Sequence, residues 1–298
     1  MTTVASLLWG TTFIATGLAL QSTDPYTLVF LRFAVGSAVI LPLSILSKSV
    51  NIWAEMRKGA SWVLGGVYSL GFLFQYVGQA NASAAEASLL ANLAPTLVPL
   101  LAIAVLKEVV GTRQKFSTVL GFFGLLLVVS PNLEIASGHL VGDVLLFGTS
   151  VCYAAFIVLS KKEGVGSLAS AFAIIVIIAI FLTPVSLVLG NHRPQDVGTT
   201  GWAAILWLGI PCSVLAIALY LKGLSSITAS QSATLLLIQL LEGFTVSALV
   251  FGAPYLIPEV AGAVSISTAV VLSTAGKRIT STDASEIEEE SGDPPRAR

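Results

Sequence analysis

The sequence predicts an all-α integral membrane protein: ten transmembrane helices arranged as two inverted five-helix repeats around a central cavity. Three observations lead there: the composition, the placement of positive charge, and an internal repeat. Of the 298 residues, 55% are hydrophobic and 10% are charged, against roughly 25% charged in ordinary soluble domains. Mean hydropathy is +0.89, and no single soluble core buries that much apolar surface. The formal net charge of −1 offers nothing to a nucleic acid. The two cysteines, Cys152 and Cys212, fall in apolar runs and read as buried thiols. His139 and His192 lie in polar connecting segments, so neither a metal site nor a cofactor is expected.

A helix needs roughly 17–25 apolar residues to cross the hydrocarbon. Ten segments qualify, near 3–20, 25–47, 61–80, 84–106, 115–131, 141–160, 167–189, 201–221, 228–252 and 255–275. The first lacks a basic leader and is interrupted by Trp9, Thr11 and Thr12, so it reads as a helix rather than a cleaved signal peptide. Connections are short, and with the tail they hold most of the Asn and charge. Gly-Ala-Pro-Tyr-Leu-Ile-Pro before the tenth segment is a very short connection.

Positive residues orient the bundle. With the N-terminus cytoplasmic, the inner loops and tail hold Lys48, Arg57, Lys58, Lys107, Arg113, Lys115, Lys161, Lys162, Lys222, Lys277, Arg278, Arg296 and Arg298. The outer loops hold Arg193, and Arg32 lies within the second segment. A wrong helix count would scramble that partition. The expectation is a multi-pass protein of the cell membrane with both termini cytoplasmic.

The repeat appears as collinear matches. Trp9-Gly10 answers to Tyr153-Ala154, Pro42-Leu43-Ser44 to Pro184-Val185-Ser186, Ser61-Trp62 to Gly201-Trp202, and Ala87-Ser88-Leu89-Leu90 to Ala233-Thr234-Leu235-Leu236. The offsets drift only from 140 to 146. Residues 1–133 and 140–278 are the expected units, followed by an acidic tail at 279–298 expected to be disordered. Five helices per unit is an odd number, so the second copy must be inverted. That arrangement is typical of secondary transporters, with the solute site at the repeat interface.

Ionisable and amide side chains inside spans normally face a cavity or a partner. The candidates are Trp9 and Thr12 on the first segment, Gln75 and Gln79 on the third, Ser88 and Asn92 on the fourth, Tyr153 on the sixth, and Gln239 and Glu242 on the ninth. A Trp/Tyr wall with a few amides and hydroxyls is the usual make-up of a small-molecule site. Glu242 has three readings: a brace to Arg32 or an amide, a proton-exchanging group, or a contact for a cationic solute. Arg32 either snorkels outward, pairs with an acid, or forms an anion-attracting wall. Glu86 opens its helix, where an acid is favourable without any function. Gly65, Gly66, Gly71, Gly121, Gly124 and Gly262 read as helix-packing positions.

The motifs Leu-Leu-Trp-Gly-Thr-Thr-Phe (7–13), Phe-Leu-Arg-Phe (30–33), Ala-Ser-Leu-Leu-Ala-Asn-Leu-Ala-Pro (87–95) and Lys-Glu with the following fifth helix (107–129) resemble those of EamA-type permeases of the drug/metabolite transporter superfamily. The resemblance covers residues 3 to about 275. Gly243 stands where the ninth helix of such permeases carries proline after its glutamate, and a second Gly-Glu helix end is absent. The resemblance implies the ten-helix bundle and a secondary transporter, commonly an exporter of amino acids or related small polar metabolites. A non-transporting membrane sensor or scaffold, and an intramembrane enzyme, are the competing classes. The chain has no GxxxxGK[ST], no GxSxG and no HExxH, so neither ATP hydrolysis nor catalysis is expected. The expected partners are a small-molecule solute and the lipid bilayer, with homo-oligomerisation left open.

Overall fold

The computed structural model describes residues 1–46, 50–82, 84–130, 140–191, 197–241 and 256–274, with the side chains of 84–86, 88, 128 and 129 left aside. Among these residues the chain is helical throughout, with no strand. Eight helices are long and apolar enough to cross a membrane: Thr2–Leu20, Pro25–Leu46, Gly59–Ala80, Leu89–Leu106, Leu140–Lys162, Leu168–Leu189, Thr199–Leu224 and Ile257–Thr274. Of the other two expected spans, Thr112–Val129 has the length, but its first turn, Thr-Arg-Gln-Lys, dilutes its apolar character. The described part of the ninth runs only from Ala229 to Leu241. The acidic tail lies outside the described residues.

The outward surface is hydrocarbon-like. Leu46, Val188 and Ile257 are 80–86% exposed, which in water would be an aggregation hazard and in lipid is solvation. Trp53 and Trp62 sit beside Arg57 and Lys58, where amphipathic rings mark a membrane interface. Trp62 Nε1 donates to the Met56 carbonyl at 2.7 Å.

Several spans are interrupted where their sequences demand it. Thr11 returns its hydroxyl to the Leu8 carbonyl at 2.8 Å, a back-bond that bends helices; the first span accordingly divides into Thr2–Gly10 and Thr12–Leu20. Pro95 lacks the N–H that would bond the Ala91 carbonyl. The fourth span therefore breaks at Asn92-Leu93 before resuming at Ala94. Pro211 opens a π-helical stretch, Ile210–Leu215, in the Thr199–Leu224 span.

Helices from the two halves of the chain interlock. Gly59–Ala80 packs on Leu140–Lys162, Thr112–Val129 on Ile257–Thr274, Pro25–Leu46 on Leu168–Leu189, and the first span on Thr199–Leu224. Small residues permit the close approach, as expected where lipid supplies no hydrophobic drive between helices. A Cβ on Gly124 would lie 2.9 Å from the Gly262 carbonyl oxygen, and one on Gly65 would lie 2.4 Å from Ile177 Cγ2. Gly124→Ala is expected to destabilise the bundle by about 1–3 kcal/mol, read as a lower unfolding midpoint in detergent.

Two carboxylates tie the ends of helices from opposite halves. Glu108 accepts from the Ala229 and Ser230 N–H groups at 3.2 and 3.4 Å. Asp24 accepts from Tyr26 and Thr27 N–H through Oδ1, and from Asn191 N–H through Oδ2 at 2.9 Å. Burial alone would raise the Asp24 pKa, but the three backbone donors outweigh it and hold the carboxyl below its ordinary 3.8. A depressed acid contributes stability above its unfolded pKa and loses it as pH falls through the folded value. The gap in melting temperature between wild type and Asp24→Asn should therefore be largest near neutrality and shrink below about pH 4.

Candidate functional site

The interruptions of the first and fourth spans border one cavity. Trp9 and Thr12 reach it from either side of the Thr11 bend, Asn92 from the break before Pro95, and Arg32, Gln75, Tyr153, Tyr220 and Gln239 from their own helices. The free volume is about 70 Å³, where one water needs roughly 10–15 Å³. In this conformation the space suits a few waters or a small polar group rather than a bulky solute.

One wall is aromatic. Tyr68 stacks on Phe156 with centroids 3.8 Å apart, and meets Phe72 and Tyr153 at 4.6 and 5.2 Å. Tyr153 OH donates to Gln75 Oε1 at 2.5 Å, which fixes both side chains. Gly71 makes room for that ring, since a Cβ there would stand 2.8 Å from Tyr153 Cε1. Trp9 meets Tyr220 at 5.2 Å, and Tyr220 OH is hydrogen-bonded with Ser232 Oγ at 3.1 Å. Across the cavity Gln239 Nε2 donates to Asn92 Oδ1.

The π-helical stretch contributes a backbone acceptor. The Ala216 N–H bonds the Pro211 and Ser213 carbonyls, bypassing its α-helical partner Cys212. The Cys212 carbonyl instead accepts from Trp9 Nε1 at 2.8 Å and Arg32 Nη2 at 3.2 Å. π-bulges of this kind often mark functional positions.

Of the residues the sequence nominates, Trp9, Thr12, Gln75, Asn92, Tyr153 and Gln239 line this cavity. Gln79 does not. Its Nε2 bonds the Phe13 carbonyl at 3.3 Å, and it lines a separate recess with Asp24 and Thr23; at i+4 from Gln75 it lies one turn nearer the helix end. The Ser88 side chain and all of Glu242 lie outside the described residues. Arg32 does not snorkel outward; it is fully buried and lines the cavity. Tyr68 and Phe72 escaped the sequence reading, although their i, i+4, i+7 spacing with Gln75 places all three on one helix face. Nothing local in the sequence signals Tyr220. No cluster able to hold a metal ion occurs among the described residues.

Comparison with known proteins agrees with this architecture. The EamA-like transporter family model matches the chain over residues 1–130 and again over 140–275. An uncharacterized transporter of Archaeoglobus fulgidus is 28% identical over 240 residues, covering 76% of this chain and 80% of the relative. The uncharacterized transporter YyaM of Bacillus subtilis is 27% identical over 296 residues, covering 92% of each. Protein PecM of Dickeya dadantii is 27% identical over 231 residues, covering 74% of this chain and 73% of the relative. A protein crystal structure superposes with a TM-score of 0.79 at 19% identity, over 91% of this chain and 95% of the other, which is a likeness of fold. The Archaeoglobus and Bacillus relatives are named as transporters. The chain is a multi-pass membrane transporter and belongs to the EamA-like transporter family.

Proposed function

We propose that the protein is a secondary transporter, and in direction an exporter, of small polar metabolites such as amino acids or related compounds. It carries them by alternating access between two inverted repeats, residues 1–133 and 140–278. The observation that carries this reading is the cavity, whose polar lining comes from both halves: Trp9, Thr12, Gln75 and Asn92 from one, Tyr153 and Gln239 from the other. A site shared between two rigid units is what rocking motion exposes to each side in turn.

The double match of the family model supports the two-repeat reading. So does the pattern of helix neighbours. Exchanging the first five expected spans with the second five turns the third-on-sixth pairing into the eighth-on-first, and both are present. The fifth-on-tenth, second-on-seventh and fourth-on-ninth pairings map onto themselves. The distribution of positive residues supports cytoplasmic termini in the cell membrane.

Purified protein in liposomes is expected to carry at least one labelled solute from a panel of amino acids, hydroxy acids, nucleosides, sugars and amines. Absence of flux above empty vesicles across that panel would remove the transport reading. Overexpression should lower, not raise, cellular retention of the carried solute; greater retention would reverse the direction.

A further inference from the structure

The cavity wall holds a cation whose charge no described residue answers. Arg32 is 0% exposed. Its Nε donates to Ser213 Oγ at 2.7 Å, Nη1 to Tyr76 OH at 3.0 Å and Nη2 to the Cys212 carbonyl at 3.2 Å. All three acceptors are neutral. A guanidinium carries five N–H groups, so two remain beyond these bonds. Phe72 and Phe33 stand 4.7 and 5.4 Å from Cζ, close enough for cation–π attraction.

Among the described residues the ion pair present is Lys58–Glu55, far along the chain from Arg32, and the cavity lining includes no carboxylate. Neutral oxygens and ring faces hold the guanidinium in place without cancelling its charge. A buried arginine with a purely structural task is ordinarily paired with an acid, because the unpaired charge is expensive away from water. A second observation is independent of the first. Thr12 Oγ1 is also buried and lines the same cavity, and it has no hydrogen-bond partner among the described residues. A closed brace would leave neither group waiting.

The geometry points to Arg32 as the anion-recognising residue of the cavity, and to a carboxylate as the group it recognises. This assignment rests on the cavity being the solute site. Two remaining N–H groups match the two oxygens of a carboxylate, which arginine commonly binds in bidentate fashion. A phosphate ester brings up to two negative charges and three acceptor oxygens, more than one lone cation answers. Thr12 supplies a further hydroxyl, and the aromatic wall takes the less polar remainder of the solute.

The test compares labelled carboxylates (amino acids and hydroxy acids) with their own carboxamides, and with nucleosides, sugars and amines, in proteoliposomes of wild type, Arg32→Gln and Arg32→Lys. Wild-type flux should be confined to carboxylates, with each carboxamide carried at least ~10-fold less well. Arg32→Gln should raise KM for the carboxylate about 10- to 100-fold with a smaller change in kcat, and should narrow its preference over the carboxamide. Arg32→Lys keeps the charge without the planar fork and should retain part of that preference. Should Arg32→Gln fail to fold, wild-type discrimination between acid and amide decides alone. Flux of nucleosides, sugars or amines with no preference for carboxylates would overturn the Arg32 assignment and leave the transport reading standing. Absence of flux for every solute would remove both.

Discussion

Trp9→Ala is expected to reduce transport efficiency by at least ~10-fold and to lower the unfolding midpoint. The indole joins two parts of the site. Its ring meets Tyr220 at 5.2 Å, and its Nε1 donates at 2.8 Å to the Cys212 carbonyl that Arg32 also uses. Truncation removes the ring, opens the cavity and leaves that carbonyl to the arginine alone. Full burial of a tryptophan would make the loss about 3–5 kcal/mol; Trp9 is half-buried, so about 2–3 kcal/mol is the expected scale. Trp9→Phe separates the two contributions. It keeps most of the packing and loses the hydrogen bond, at about 1 kcal/mol, so its stability should lie near wild type. Flux and melting curves on both variants are the measurement. Wild-type KM and kcat in Trp9→Ala would exclude the ring from the solute path.

The second large effect is structural. Gly142→Val is expected to prevent correct packing of the Gly59–Ala80 and Leu140–Lys162 pair. A Cβ on Gly142 would stand 2.5 Å from the Asn81 carbonyl oxygen and 2.8 Å from its carbon. Those are backbone atoms, so no rotamer change relieves the clash. Gly78, on the facing helix, is hemmed in by the Gly142 carbonyl at 3.1 Å, and so the two backbones meet directly. Overpacking of this kind costs about 1–3 kcal/mol, and more when backbone must move. The same pair carries Gln75 and Tyr153, so flux should fall together with the melting temperature. Gly17→Ala is the control. Nothing lies within 4 Å of its Cβ position, and the gain in helix propensity is worth up to about 1 kcal/mol. A Gly142→Val protein that melts with wild type would mean that this contact is absent in the membrane.

Much of the architecture was legible in the sequence because lipid imposes it. Every backbone polar group must be satisfied internally in hydrocarbon, so long apolar runs have to be helices, and their ends follow from where charge and turn residues fall. The spans expected at 25–47, 141–160 and 167–189 are accordingly found at Pro25–Leu46, Leu140–Lys162 and Leu168–Leu189. The site was legible to the extent that burying an amide in a membrane requires a reason. That argument alone nominates Gln75, Asn92 and Gln239, and all three line the cavity. It fails for Gln79, whose bond to the Phe13 carbonyl supplies a different reason for the same residue type.

Arg32 shows where the sequence stops. Its residue type and depth were enough to pose three alternatives, and none could be chosen from neighbours along the chain. Its partners among the described residues, Tyr76, Cys212 and Ser213, lie 44, 180 and 181 positions away. Cys212 and Ser213 depend on a π-helical stretch and on how the Pro25–Leu46 and Thr199–Leu224 helices are apposed, and Tyr76 on the apposition of Gly59–Ala80 to Pro25–Leu46. By itself the sequence determined the class, the helices and the family motifs, since hydrophobic periodicity and charge placement are local quantities. The tertiary structure alone decided which polar groups share a cavity and which do not, because that depends on the rotation and apposition of helices distant in the chain.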